Sequence, residues 1–180
     1  MPEQTYPVQQ SGKSNKNITS MVKNFSLGEK IIGIGAIAGI VSFFLTWFSY
    51  PDDFAESMDI SEEVTGMDIG SWAYLIPALM IVSLVILYLS SNKGSKAKIK
   101  FSSIQIFIGT VVATLGITVY QTLSSVKEWI SEEMSDGLAK GLTKEMEEIS
   151  QPEIGFWIFI AGALAVIVGA YLVQKRNLKE

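Results

Sequence analysis

The carboxylates best placed for chemistry fall in one short stretch. Asp52, Asp53, Glu56, Asp59, Glu62, Glu63 and Asp68 lie in a segment that holds no basic residue. Clustered carboxylates can give oxygen ligands to Ca²⁺, and a pair can act as general acid and base. The spacing does not follow the EF-hand loop, so the stretch reads as a solvated acidic loop. The chain has no histidine and no cysteine. That removes imidazole and thiolate metal sites, cysteine nucleophiles and disulfides. There is no Gly-x-Ser-x-Gly and no phosphate-binding glycine loop. No enzyme is expected, hence no catalytic residue, cofactor or metal.

Two other patterns lie inside apolar sequence. Thr110, Thr114 and Thr118 share one helical face, with Gln105 and Gln121 at its ends. Such a face could line a polar pathway between helices. The blander alternative is that each hydroxyl bonds back to a carbonyl in its own preceding turn. Small residues also recur at four-residue spacing: Gly35 and Gly39, Gly109 and Ala113, then Ala161, Ala165 and Gly169. They let helix backbones approach closely in lipid, either within this chain or at a homo-oligomer face.

The elements that carry these residues follow from where charge is missing. Four uncharged windows, 31–51, 69–92, 101–126 and 154–174, contain 21 to 26 residues each. About 20 helical residues cross a hydrocarbon core of about 30 Å. A soluble helix of that length would show a polar face, and in lipid the backbone must satisfy its own hydrogen bonds. Each window therefore predicts a spanning helix. None contains Asp, Glu, Lys, Arg or His, which argues against a proton relay or a voltage sensor.

Charge then orients the spans. Of the 14 basic residues, 11 lie in the N-terminal tail, the lysine link 93–100 and the C-terminal tail. The positive-inside rule places all three in the cytoplasm and both acidic loops outside. Trp47, Trp72, Trp129 and Trp157 all fall at or beyond the predicted outer ends, where indoles settle at headgroup level.

The predicted fold is thus an all-α, integral membrane four-helix bundle, N-in/C-in, with a short extracytoplasmic amphipathic helix. Its spans run over about 31–50, 70–90, 101–123 and 154–174, with outer loops 51–69 and 124–153 and an inner link 91–100. Residues 1–25 form a disordered tail and 175–180 a second tail. Ser26 suits an N-cap with Glu29 near the helix start. Tyr50-Pro51 closes the first span, Thr65-Gly66 turns into the second, and Ser71 is a candidate cap. Pro77 either kinks the second helix or sits just inside its start. Apolar residues at helical spacing carry the third helix out to about Glu133, with the amphipathic helix over about 138–149.

The run Phe43-Phe44-Leu45-Thr46-Trp47-Phe48, the acidic loop, and Thr65-Gly66-Met67-Asp68-Ile69-Gly70 resemble a loose group of uncharacterised small prokaryotic membrane proteins. Gly28-Glu29-Lys30-Ile31 also fits, so the resemblance covers residues 28–90. It implies four spans and lends no function. The topology is also similar to that of claudins, whose Gly-Leu-Trp and paired cysteines are absent, so no junctional role follows.

The expected protein is a non-enzymatic, multi-pass plasma-membrane component, an accessory subunit or scaffold presenting acidic outer loops. The alternative is a small channel or transporter component using the threonine face. Expected partners are the lipid bilayer and other membrane proteins or a second copy, with no nucleic acid.

Overall fold

The computed structural model describes residues 22–50, 61–133 and 152–179, and side chains outside 123–133. The chain is mostly helical, with α1 Leu27–Ser42, α2 Leu75–Ser90, α3 Ser95–Glu133 and α4 Ile154–Asn177. Between α1 and α2 lie two short strands, β1 Thr46–Ser49 and β2 Glu63–Thr65, and a 3₁₀ turn over Ser71–Tyr74. Among the described residues, three helical segments are long and apolar enough to cross a membrane: Ser71–Ser90, Ser95–Thr122 and Ile154–Asn177.

The first predicted span needs correction. Its helix starts earlier and ends at Ser42, eight residues short of Tyr50. A run of apolar and aromatic residues does not by itself distinguish a buried strand from a helix. Here Thr46–Ser49 leaves the helix and pairs antiparallel with β2, Thr46 opposite Thr65 and Phe48 opposite Val64. Trp47 is the extra residue of a bulge in that register. The bulge lets two consecutive side chains, Trp47 and Phe48, both turn inward. Phe48 also bridges to Pro152, and the Glu153 amide donates to the Trp47 carbonyl at 2.8 Å. The strands are thereby tied to the start of α4.

At the other end of α1 the sequence reading holds. Ser26 caps the helix, and Ser26 and Glu29 form a reciprocal capping box. The inner link is shorter than predicted, because α3 begins at Ser95 and takes Lys96, Lys98 and Lys100 into its first turns. α3 reaches Glu133 as expected; its 39 residues extend about 58 Å, nearly twice a hydrocarbon core. Pro77 is the third residue of α2, in the first turn, where a missing amide proton costs little. Gly70, not Ser71, precedes the 3₁₀ turn; its φ of 135° lies where a side chain is rarely accommodated. Most of the predicted tail, the far part of the first outer loop and the amphipathic helix 138–149 fall outside the described residues.

The helices pack in a cycle, α1 on α2, α2 on α3, α3 on α4 and α4 on α1, the last being the most extensive contact. Ile32, Ala36, Met80, Val112, Phe159, Ala163, Val166 and Ala170 form the fully buried centre. Around the outside, Ile34, Ile37, Ile81, Val85, Phe107, Ile117, Leu164 and Val168 are each about half exposed or more. An apolar outer surface of this extent suits lipid rather than water.

The α1–α4 seam is built on glycine at seven-residue spacing. A Cβ on Gly35 would lie 2.7 Å from the Gly162 carbonyl oxygen, and one on Gly162 would lie 2.7 Å from that of Gly35. Gly28 and Gly169 repeat the arrangement one heptad away, and Gly155 lies against the backbone of Leu45 and Thr46. The pairing runs antiparallel, so Gly28–Thr46 accompanies Gly155–Val173 over about 27 Å.

Candidate functional site

The end of the helices where α1 finishes and α4 starts is organised by an aromatic knot. α1 ends inside the protein, where its last carbonyls must find donors. The Ser42 hydroxyl donates to the Gly39 carbonyl at 2.8 Å, and the amides of Phe43, Phe44 and Leu45 donate to the Ile40, Val41 and Ser42 carbonyls. Trp47 Nε1 adds a 2.6 Å bond to the Ser42 carbonyl. The Trp47 ring is fully buried, 4.7 Å from Phe159 and 5.9 Å from Phe156. This corrects the reading of Trp47 as a headgroup anchor: its polar handle closes a helix end rather than reaching water. Trp72 and Trp157 are exposed, and Trp157 Nε1 donates to the Pro152 carbonyl at 3.1 Å. The Trp129 side chain lies outside the described set.

Outside the knot, the strands and the turn after them enclose a groove of about 700 Å³ against α3. Phe48, Tyr50, Val64, Ile69, Trp72 and Val119 give it apolar and aromatic walls. Ser61, Glu63, Asp68, Thr118 and Thr122 supply its polar side. Both carboxylates are anchored by threonines. Thr46 Oγ1 donates to Glu63 Oε2 at 2.9 Å, while the Thr65 hydroxyl and amide donate to Asp68 Oδ2 at 2.7 and 2.9 Å. The Thr65 hydroxyl first, then its amide, holds the Asp68 carboxyl below its ordinary pKa by favouring the charged form. Ser49 Oγ donates to Glu153 Oε1 at 2.8 Å, locking β1 to the residue that precedes α4.

The acidic loop is therefore divided. Glu62, Glu63 and Asp68 belong to the described residues, whereas Asp52, Asp53, Glu56 and Asp59 do not. Among the described residues no three acidic, histidine or cysteine side chains gather where they could hold a metal ion.

The threonines of α3 face outward. Thr110, Thr114 and Thr118 are exposed, and each hydroxyl donates to the carbonyl four residues back at 2.9 to 3.0 Å. They do not line a pathway between the described helices. Thr122 continues the stripe with the same bond. Gln105 points elsewhere: it is buried, and its Nε2 donates to the Ser83 carbonyl of α2 at 3.3 Å. The Ser83 hydroxyl beside it is buried without a hydrogen-bond partner among the described residues.

The small residues separate into two groups. Gly35 and Gly169 meet α1–α4 backbone, Ala165 touches Gly35, Gly39 meets Met80, and Gly109 meets Ile167 of α4. Ala113 is half-buried against the core, while Ala161 is exposed. The four-residue register singled out Ala161, but the packed face of α4 follows seven-residue spacing through Gly155 and Gly162. A heptad count over glycine alone would have found them.

At the opposite end, where α1 starts, Glu29 is buried and accepts from Lys98 Nζ at 2.9 Å and from the Ser26 amide at 2.7 Å. With Asn24, Arg176 and Asn177 they surround a polar cavity of about 100 Å³ joining α1, α3 and α4. No residue pattern marked this pair in the sequence, because Glu29 and Lys98 are far apart along the chain.

Comparison with family models, with curated proteins and with solved structures found no match to the chain.

Proposed function

We propose that the chain is a four-span plasma-membrane bundle with both termini cytoplasmic, acting without catalysis as an accessory subunit or scaffold that offers its outer face to a partner. The observation that carries this reading is the division of its polar groups. At depth, Ser42, Ser90 and Ser102 bond to their own helix, Gln105 bonds to α2, and Glu29 takes Lys98. At the outer end, Glu62, Glu63 and Asp68 stay exposed on a ribbon fastened to α4. Hydrogen bonds from Thr46, Thr65 and Ser49 hold that surface, and charged residues on a held surface favour orientation and partner choice.

The fourth crossing is supported by the α1–α4 seam, since 28–46 keeps company with α4 through the length of a bilayer core. Lys175 and Arg176 in the last turn of α4, with the lysines at the start of α3, favour a cytoplasmic inner end. The filled centre favours a scaffold over a conduit within one chain.

The test places photocrosslinking residues at Ser61 and Met67, and as a control at Ile117, in native membranes. The scaffold reading expects one discrete partner from the two outer positions, lost on Glu63→Lys/Asp68→Lys. It fails if the outer positions give nothing while purified protein in liposomes conducts ions or solutes. That result would return the threonine stripe to consideration as an interface between copies.

A further inference from the structure

We propose that the outer groove is a binding site for an amphipathic organic cation, an ammonium group carried on an apolar or aromatic body. This goes beyond the scaffold reading and does not depend on it. The groove's volume of about 700 Å³ suits a small molecule.

The chemistry follows from a count of donors and acceptors. The Ser61 hydroxyl donates to the Glu63 carbonyl at 2.9 Å, Thr118 to the Thr114 carbonyl at 3.0 Å, and Thr122 to the Thr118 carbonyl at 2.9 Å. Each of these hydroxyls has spent its only proton, so toward the groove it has lone pairs alone to offer. Glu63 and Asp68 are acceptors when ionised, and each is held by threonine through one of its two oxygens. Five polar side chains lining the groove therefore offer acceptors, against two that carry donor protons, the Tyr50 hydroxyl and the Trp72 indole. None of its described lining residues is basic.

An acceptor-rich wall asks for a ligand with several N–H donors or a full positive charge. Tyr50 and Trp72 bring aromatic rings to the groove, and such rings attract cations through their faces, while Phe48, Val64, Ile69 and Val119 suit an apolar body. An anion would be repelled by both carboxylates. The carboxylates of the groove are exposed, so the charge selects the ligand more than it tightens binding.

Two other cavities do less. The small inner one has its buried carboxylate already answered by Lys98. The groove of about 460 Å³ between α1 and α2 is almost wholly apolar and faces where acyl chains would lie.

The test uses full-length protein in an uncharged maltoside detergent, titrated with 4-phenylbutylammonium and with 4-phenylbutanol, which has the same body without the charge. Calorimetry and tryptophan fluorescence read the binding. The expected result is saturable binding of one ammonium, about tenfold tighter than the alcohol. Glu63→Gln/Asp68→Asn should abolish that preference, and Trp72→Phe should remove most of the fluorescence response. Equal binding of the two probes, unsaturable partitioning, or a preference that survives the double variant overturns the proposal. Should the double variant not fold, Thr122→Trp decides, because it adds bulk to the groove from an exposed position and keeps both carboxylates in the chain. Retained binding in that variant also overturns it.

Discussion

At the end of the helices where α1 starts, the proposed inner end, Glu29 is 3% exposed and is answered by Lys98 at 2.9 Å, with the α1 cap closing around it. At the other end, the proposed outer one, Glu63 and Asp68 are exposed, and the groups that hold them are neutral threonines. Both ends thus immobilise carboxylates, by different means and to different effect. A buried charge must be matched inside the protein or it destabilises the fold. An exposed one can be oriented by a neutral donor and keep its charge for something else. The inner end is consequently a clamp across α1 and α3, and the outer end is a surface.

The contrast can be broken most forcefully from inside. Lys98→Met strands the Glu29 carboxylate and should cost about 3–5 kcal/mol in detergent unfolding. Adding Glu29→Gln should recover much of that loss, since it removes the stranded charge. A loss below about 1 kcal/mol would mean that the inner pair is as solvated as the outer carboxylates. Less severe is Trp47→Phe, which deletes one buried hydrogen bond to the end of α1 and trims the aromatic knot. A cost of about 1–3 kcal/mol is expected, with the inner end unaffected in hydrogen exchange. The smallest effect concerns the Thr65–Asp68 turn. Asp68 has a folded pKa below its unfolded value, so its contribution is present above the unfolded value and lost as pH falls through the folded one. The Thr65 amide resonance should follow this titration, with a midpoint below that of aspartate in an unfolded chain. A midpoint at or above it would show that the threonine anchor does not hold.

How far the sequence could be read differs between these regions. The α1 cap was legible because Ser26 and Glu29 are three residues apart and act locally. So was the reach of α3 to Glu133, carried by helical periodicity. The ribbon was not, because Phe43 to Phe48 is as apolar as a span, and the pairing with Glu63–Thr65 that makes Thr46–Ser49 a strand is contributed by another segment. Trp47 misled for a related reason: an indole near a span end suits the headgroup region equally well, until a carbonyl within reach claims its N–H. The candidate groove was visible only in part. Its carboxylates stood out, but its hydroxyls and rings arrive from β1, the 3₁₀ turn and α3.

The sequence by itself determined the solvent of this protein and the charge asymmetry of its ends. Long uncharged runs and clustered lysines are properties of composition, and they hold whatever the helices touch. The tertiary structure decided which polar groups are spent and which remain on offer. Glu29 met Lys98, the threonines of α3 turned outward, and Thr46 and Thr65 fixed two carboxylates beside aromatic walls. Satisfaction of a donor or a charge depends on what lies within about 3 Å of it. Residues distant in sequence supply those neighbours, so only the fold could show them.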